Sequence, residues 1–88
     1  MEQFENFGQY FQHHRKILGV NKSEAGRRIG ISAQYVNDIE EKNLIPSEEK
    51  IEIMVALFEM DEKTAFRLAN KMPIRVYKKA LEEYLKED

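Results

Sequence analysis

Apolar side chains recur every three or four residues along this chain, which is the spacing of an α-helix. The first such set is Phe4, Phe7, Phe11, His14 and Leu18. It predicts a helix over about residues 3–18. No stretch alternates apolar and polar residues in the Val-, Ile- and Thr-rich manner of a β-strand. The pattern therefore predicts an all-α protein.

Capping residues divide the remaining chain into further helices. Four polar residues stand at positions typical of helix N-caps: Asn21, Ser32, Ser47 and Asp61. The first two caps predict short helices over about residues 22–29 and 33–41. Pro73 fits the start of a last helix, over about residues 74–86.

The segment between Asn21 and Glu40 has the spacing of a helix-turn-helix motif. Gly30 permits a sharp reversal between two short helices. Gly26, which lacks a side chain, permits the third helix to cross the second closely. Val36 and Ile39, three residues apart, form the inner face of the third helix. Because this motif places one helix in the major groove of DNA, the spacing indicates a DNA-binding protein.

The length of 88 residues predicts one domain, with a core over residues 4–71 and a C-terminal helix over residues 73–87. Apolar residues make up 42% and charged residues 34%, which is a globular balance. The absence of cysteine excludes disulfides and thiolate metal sites, and it is compatible with the cytoplasm, where we expect the protein to act. No apolar run approaches the roughly 20 residues of a membrane span, so we expect no membrane association.

The net charge of −2 weakens the DNA interpretation, because nucleic-acid-binding domains are usually basic. Residues 1–45 hold six basic and six acidic residues, whereas residues 46–88 hold eight and ten. The excess of acidic over basic residues therefore lies C-terminal to the predicted motif. For DNA binding, a local basic patch matters more than the net charge of the whole chain, since salt screens interactions between exposed charges beyond about 8 Å.

The stretch from Phe7 to about Asp61 resembles the lambda-repressor-like (Cro/C1-type, XRE) helix-turn-helix family of bacteria and phages. The residues that carry the resemblance are the Phe7-Gly8 start, Arg15, the Gly30 turn, Ile39-Glu40 and Pro46. It implies a lambda-repressor-like DNA-binding domain of five helices, followed here by a C-terminal amphipathic helix. Gly26 departs from the family pattern, where alanine is usual.

The resemblance also implies which side chains meet base edges: Ser32, Ala33, Gln34, Asn37 and Asp38. Gln34 and Asn37 suit this role, because each side-chain amide can bond adenine N6 and N7 together. The alternative for Gln34 and Asn37 is that they simply belong to a solvent-exposed polar face of the helix and contact no base. Asp38 either accepts from cytosine N4 or repels phosphate.

Further roles follow from the same resemblance. The candidates for phosphate contact are Lys22, Tyr35, Lys42 and Asn43. Arg15 and Glu40 correspond to an ion pair that ties the first helix to the end of the third. This interpretation makes Glu40 structural and removes one acid from the proposed DNA face.

The last helix carries an apolar stripe of four residues: Ile74, Tyr77, Leu81 and Tyr84. The stripe is either intramolecular core or a dimer surface, and Ile17 with Leu18 is a second candidate dimer surface. We expect a homodimeric transcriptional regulator, acting as a repressor on double-stranded DNA, because two half-sites multiply sequence discrimination. The alternative is a protein-interaction module, such as an antitoxin or an antagonist of another regulator.

We predict no catalytic, metal or cofactor site. His13 and His14 are adjacent, so their side chains point about 100° apart on a helix and cannot chelate one ion together. The acidic pairs Glu48-Glu49 and Glu82-Glu83 fit helix caps and solvated faces better than catalysis. We therefore expect that the protein is not an enzyme.

Overall fold

A computed structural model describes residues 4–86, and within this range the chain forms six α-helices and no β-strand. The predicted all-α fold is therefore confirmed. The helices are α1 (Phe7–Ile17), α2 (Lys22–Ile29), α3 (Ala33–Glu41), α4 (Glu48–Leu57), α5 (Glu62–Ala69) and α6 (Ile74–Lys86). None of them is long and apolar enough to cross a membrane.

The predicted caps fix the starts of four helices. Each cap's side chain accepts a hydrogen bond from the backbone N–H three residues later, and the four caps are Asn21, Ser32, Ser47 and Asp61. Such a bond satisfies one of the donors that a helix start leaves without an intrahelical partner. Gly30 ends α2 with a left-handed φ of 91°. The predicted bounds of α2 and α3 are confirmed for this reason.

The start of α1 was predicted wrongly, since the helix begins at residue 7 and not at residue 3. Asn6 is its N-cap and accepts from the Gln9 N–H at 2.8 Å. Phe4 lies ahead of this cap, and its ring packs edge-on against Tyr10 with the centroids 5.1 Å apart. At the other end Leu18 is the C-cap, is 38% exposed and does not face the core. The apolar spacing extends from Phe7 back to Phe4, beyond the Asn6 N-cap, so spacing alone predicts a start that is too early.

The core lies between helices α1 to α5. Its largest fully buried side chains are Phe7, Phe11, Val36, Ile39, Pro46, Ile51, Met54 and Phe58. The rings of Phe11 and Phe58 meet edge to face, with centroids 5.1 Å apart. Full burial of one such side chain contributes about 1.5–3 kcal/mol. Val36 and Ile39 form the inner face of α3, as predicted. Their burial leaves the opposite face of the helix turned toward solvent.

Two glycines allow backbone segments to touch. A Cβ on Gly26 would lie 2.6 Å from the carbonyl oxygen of Ile31 and 3.2 Å from the carbonyl carbon of Ser32. The close approach at Gly26 is therefore to the turn before α3, and not to α3 itself as predicted. A Cβ on Gly8 would overlap the carbonyl oxygen of Ile39, so α1 also packs directly on the backbone of α3.

Helix α6 stands apart from this core, and none of its residues is buried. The radius of gyration is 14.3 Å, whereas a compact domain of this length has about 12 Å. The helix is attached at its start, where Pro73 is buried and the Ile74 N–H donates to Glu52 at 3.2 Å. Arg75 and Glu62 add an ion pair at 2.6 Å. The alternative that the α6 stripe is intramolecular core is therefore wrong.

Candidate nucleic-acid interface

The outward face of α3 carries all five predicted base-contacting residues. Ser32, Ala33 and Gln34 are exposed at the first turn of the helix, whereas Asn37 and Asp38 are half-buried one turn later. The N-terminal turn is thus the most accessible part of α3. A helix exposed in this way fits the major groove of B-DNA, which is about 12 Å wide.

Ser32 and Tyr35 are already used by the fold. The Ser32 hydroxyl oxygen accepts from the Tyr35 N–H at 3.0 Å, which leaves its own hydrogen to be donated to a ligand. The Tyr35 side chain is half-buried and packs against the hydrophobic core. The phenolic end of the Tyr35 side chain is therefore the part that would contact a phosphate.

Lys22 and Asn37 contact each other. The Lys22 ammonium donates to the Asn37 side-chain oxygen at 2.7 Å and lies 3.7 Å from a carboxylate oxygen of Glu41. The contact joins the start of α2 to the middle of α3. An amide oxygen has two lone pairs, so Asn37 can accept from Lys22 and from a base at once. The lysine therefore fixes the direction in which the Asn37 amide points.

Gln34 and Asp38 form a second polar contact on the same face. The Gln34 amide nitrogen donates to Asp38 Oδ1 at 2.9 Å, and the Lys42 ammonium lies 3.8 Å from that same oxygen. The carboxylate thus has an amide and a cation beside it. This arrangement gives Asp38 a role in orienting Gln34, in addition to the direct base contact that the sequence predicts.

The face carries little net charge, because each lysine lies beside an acid. Lys22 is near Glu41, and Lys42 is near Asp38. Both lysine side chains are partly or largely exposed, and exposed ion pairs contribute only about 0–1 kcal/mol. A phosphate can therefore displace the carboxylates at small cost.

Asn43 is exposed just beyond α3, where its left-handed φ of 57° turns the chain away.

A buried ion pair anchors the end of α3. Arg15 Nε donates to one oxygen of Glu40 at 2.6 Å and Arg15 Nη2 donates to the other at 2.8 Å. The Arg15 side chain is 7% exposed and that of Glu40 is 0% exposed. Arg15 Nη1 also donates to the backbone oxygen of Val20 at 2.8 Å. The hydrogen bond with Glu40 raises the pKa of Arg15, which stays charged. Glu40 therefore faces α1 and lies away from the exposed face.

Gln12 also belongs to this cluster, although the sequence did not single it out. Its side-chain nitrogen donates to Glu40 Oε1 at 3.1 Å. The available signal was spacing, because Gln12 lies three residues before Arg15 and therefore on the same face of α1. The carboxylate of Glu40 thus receives three side-chain hydrogen bonds.

The second helix has a separate ion-pair cluster. Glu24 accepts hydrogen bonds from the guanidinium groups of Arg27 and Arg28, which lie three and four residues later on the same face of the helix. These bonds hold the pKa of Glu24 below its ordinary value, chiefly through Arg27. Both arginines are therefore paired with an acid of α2 itself.

The chain matches no protein-family model and no curated protein. Within residues 4–86 no group of three or more His, Cys, Asp or Glu side chains is arranged to hold a metal ion. The rings of His13 and His14 lie 5.2 Å apart, and His14 also packs on Tyr10. What the α3 face binds must therefore follow from its own chemistry.

That chemistry consists of amides flanked by two cations. Gln34 and Asn37 each offer a donor and an acceptor on one plane, which matches the edge of a base. Lys22 lies beside the middle of α3 and Lys42 is the C-cap of that helix, and both offer point charges to anions. These groups are hydrogen-bonding partners for the edges of bases and counter-charges for anions.

Proposed function

We propose that this protein is a sequence-specific DNA-binding transcriptional regulator with a lambda-repressor-like domain. The single observation that carries the proposal is the α2–turn–α3 unit, in which Gly30 reverses the chain and α3 exposes its amide-bearing face. The opposite face is fixed by Val36 and Ile39, which are fully buried. A rigid exposed helix with correctly spaced amides is what the major groove accepts.

In this proposal Gln34 is the principal base contact. It lies at the exposed first turn of α3, the end that enters the groove in this kind of motif. Asp38 holds the Gln34 amide through its carboxylate, so the side chain is partly oriented before DNA arrives. Orientation in advance reduces the entropy lost on binding.

Lys22 and Lys42 supply the phosphate contacts, each exchanging a carboxylate neighbour for a phosphate oxygen. Two lysines in each protomer give about four phosphate contacts in a dimer. The logarithm of the binding constant should then fall with the logarithm of salt with a slope of roughly −3.6. This modest slope agrees with a protein whose interface has little net charge.

The regulator acts as a homodimeric repressor in the cytoplasm. One α3 helix contacts only a few base pairs, and a second half-site one helical turn away multiplies the discrimination. Repression requires only that the dimer occupy a promoter. No cofactor, metal or membrane is needed for this activity.

A second candidate is a protein-interaction module, such as an antitoxin or an antagonist of another regulator. The observation in its favour is that both lysines of the α3 face have acidic neighbours, while α6 exposes an apolar stripe. In that case the apolar stripe binds another protein and α3 makes no base contacts.

A gel-shift experiment with genomic fragments distinguishes the two candidates. The full chain is titrated at about 50 mM and about 200 mM salt, since ionic strength strongly alters phosphate contacts. The proposal predicts that a small set of fragments is retained at both concentrations. The matched control is Lys63→Ala on α5, which packs on α1 and α4, and it should shift the same set. Failure to retain any fragment selectively at low salt favours the protein-interaction candidate.

A further inference from the structure

The Lys22 ammonium determines which end of the Asn37 amide is left to meet a base. An ammonium group carries three donors and no acceptor, so only the oxygen of an amide can face it. The Asn37 oxygen does so, at 2.7 Å from the Lys22 nitrogen. Because the amide is planar, its nitrogen lies on the side away from Lys22. Within residues 4–86 this nitrogen donates no hydrogen bond to the protein, so its two N–H groups are available to a ligand.

A neighbouring acid helps to keep the Lys22 ammonium beside Asn37. Glu41 follows Asn37 by one turn on α3, and its carboxylate oxygen lies 3.7 Å from the Lys22 nitrogen. The Lys22 side chain is 32% exposed, and Asn37 is half-buried. If a phosphate replaces Glu41, the bond to Asn37 is retained, because the ammonium has three donors. The Asn37 amide is therefore oriented before DNA arrives and remains so afterwards.

A group that presents only donors fits the edge of guanine. In the major groove guanine offers two acceptors, N7 and O6, whereas adenine offers the acceptor N7 beside the donor N6. The Asn37 oxygen keeps a second lone pair that adenine N6 could use. The N6 hydrogens would then lie beside the Lys22 ammonium, which repels them. The N–H groups of Asn37 and the charge of Lys22 thus favour the same base.

The Gln34 amide is held in the opposite sense. A carboxylate only accepts hydrogen bonds, and Asp38 Oδ1 accepts from the Gln34 amide nitrogen at 2.9 Å. The Gln34 oxygen therefore lies on the side away from Asp38, where it suits the amino group of adenine or cytosine. The two amides of α3 present opposite groups, although they are the same kind of side chain.

We propose that Lys22 and Asn37 together select guanine, with Asn37 as the base contact and Lys22 as the positioning residue that sets its preference. This inference rests on the proposed function, and it replaces the adenine contact that the sequence predicts for Asn37. Lys22 thereby influences specificity, which a contact to phosphate alone does not.

The test begins with the motif that the full chain selects from a random library of duplexes. The base pair that Asn37→Ala relaxes, and Gln34→Ala does not, is the one that Asn37 contacts. We expect a G·C pair there, bound about tenfold more tightly than the same duplex with an A·T pair at that position. In Lys22→Ala the amide can turn over, so this ratio should fall to about twofold or less.

Lys42→Ala is the matched control, because its ammonium lies beside Asp38 and not beside Asn37. It should weaken binding to both duplexes and leave their ratio unchanged. Three results overturn the inference while the proposed function stands: an A·T pair at that position, a ratio that Lys22→Ala does not alter, or a motif that Asn37→Ala does not relax. Selection of no motif at all overturns the proposed function, and the inference with it.

Discussion

The Lys22 ammonium donates a hydrogen bond to the Asn37 side-chain oxygen at 2.7 Å, across the gap between α2 and α3. A residue predicted to contact phosphate is thus the direct neighbour of a residue predicted to contact a base. This hydrogen bond couples the two side chains. Changes at Lys22 and Asn37 should therefore not be additive.

The roles of Gln34 and Lys22 separate in binding assays. Gln34→Ala should relax the preference at one base pair and cost about 1–3 kcal/mol on the best site. Lys22→Ala should weaken binding to every sequence and reduce the salt slope by about 1. It should relax base preference only at the base pair that Asn37 contacts, because it also releases the Asn37 amide. Fluorescence anisotropy with a panel of single-base variants measures both effects. Equal, sequence-independent losses for the two variants are incompatible with the assigned roles.

The coupling between Lys22 and Asn37 gives a second prediction. The loss for Lys22→Ala/Asn37→Ala should be smaller than the sum of the two single losses, by about 0.5–3 kcal/mol. The reason is that removing Lys22 already releases the Asn37 amide. The control pair is Lys22→Ala with Gln34→Ala, because no contact joins these two side chains. Additivity at Lys22 and Asn37 would show that their contact is irrelevant to binding.

The ion pair between Arg15 and Glu40 should dominate the polar contribution to stability. Glu40→Ala leaves a buried guanidinium without its carboxylate and should lower the free energy of unfolding by about 3–5 kcal/mol. Replacing both partners, as in Arg15→Met/Glu40→Leu, should cost less than the single change, since no charge remains buried. Urea unfolding measures both variants. A single-variant loss below about 1 kcal/mol contradicts a buried pair.

Gly8 should tolerate no side chain. In Gly8→Ala the new methyl group meets the Ile39 carbonyl oxygen, which belongs to the backbone and cannot rotate away. The steric cost exceeds the gain in helix propensity, and we expect a net loss of about 2 kcal/mol. Lys16→Ala, at an exposed position of the same helix, is the control and should stay within about 0.5 kcal/mol of wild type. Thermal unfolding distinguishes the two, and equal melting temperatures would refute the close contact of α1 with α3.

The N-cap of α5 predicts a pH effect. The hydrogen bond from the Thr64 N–H holds the pKa of Asp61 below its ordinary value of 3.8. A lowered native pKa stabilises the fold above that ordinary value, and the contribution is lost as the pH falls through the native pKa. Asp61→Asn keeps an acceptor at every pH. The stability of wild type relative to Asp61→Asn should therefore fall on acidification below about pH 5, as urea unfolding at several pH values can show. A difference that does not change with pH would exclude this role for the carboxylate.

The sequence predicted those parts of the fold that depend on local chemistry. The bounds of α2 and α3 follow from Asn21, Ser32 and Gly30, because a cap or a left-handed glycine acts within one turn. The start of α1 was missed because apolar spacing at Phe4 continued beyond the Asn6 cap. Local signals conflict at that point, and the cap determines the outcome.

The sequence indicated that the candidate base-contacting side chains lie on the outward face of α3, but it did not indicate the contacts that they make. Spacing alone could have suggested the bond from Gln34 to Asp38, which are four residues apart on one helix. The bond from Lys22 to Asn37 depends on the crossing of two helices, and no local pattern encodes it. The overlap that excludes a Cβ at Gly8 likewise arises only when α1 and α3 are in place.

The claim that α3 contacts bases is tested most directly by selecting bound duplexes from a random DNA library and sequencing them. The full chain should enrich one motif arranged as an inverted repeat, with half-site centres about one helical turn apart. Gln34→Ala should enrich the same motif with one position in each half-site relaxed. Recovery of unenriched DNA by the wild-type chain at low salt would contradict the account, and so would a motif that Gln34→Ala leaves unchanged.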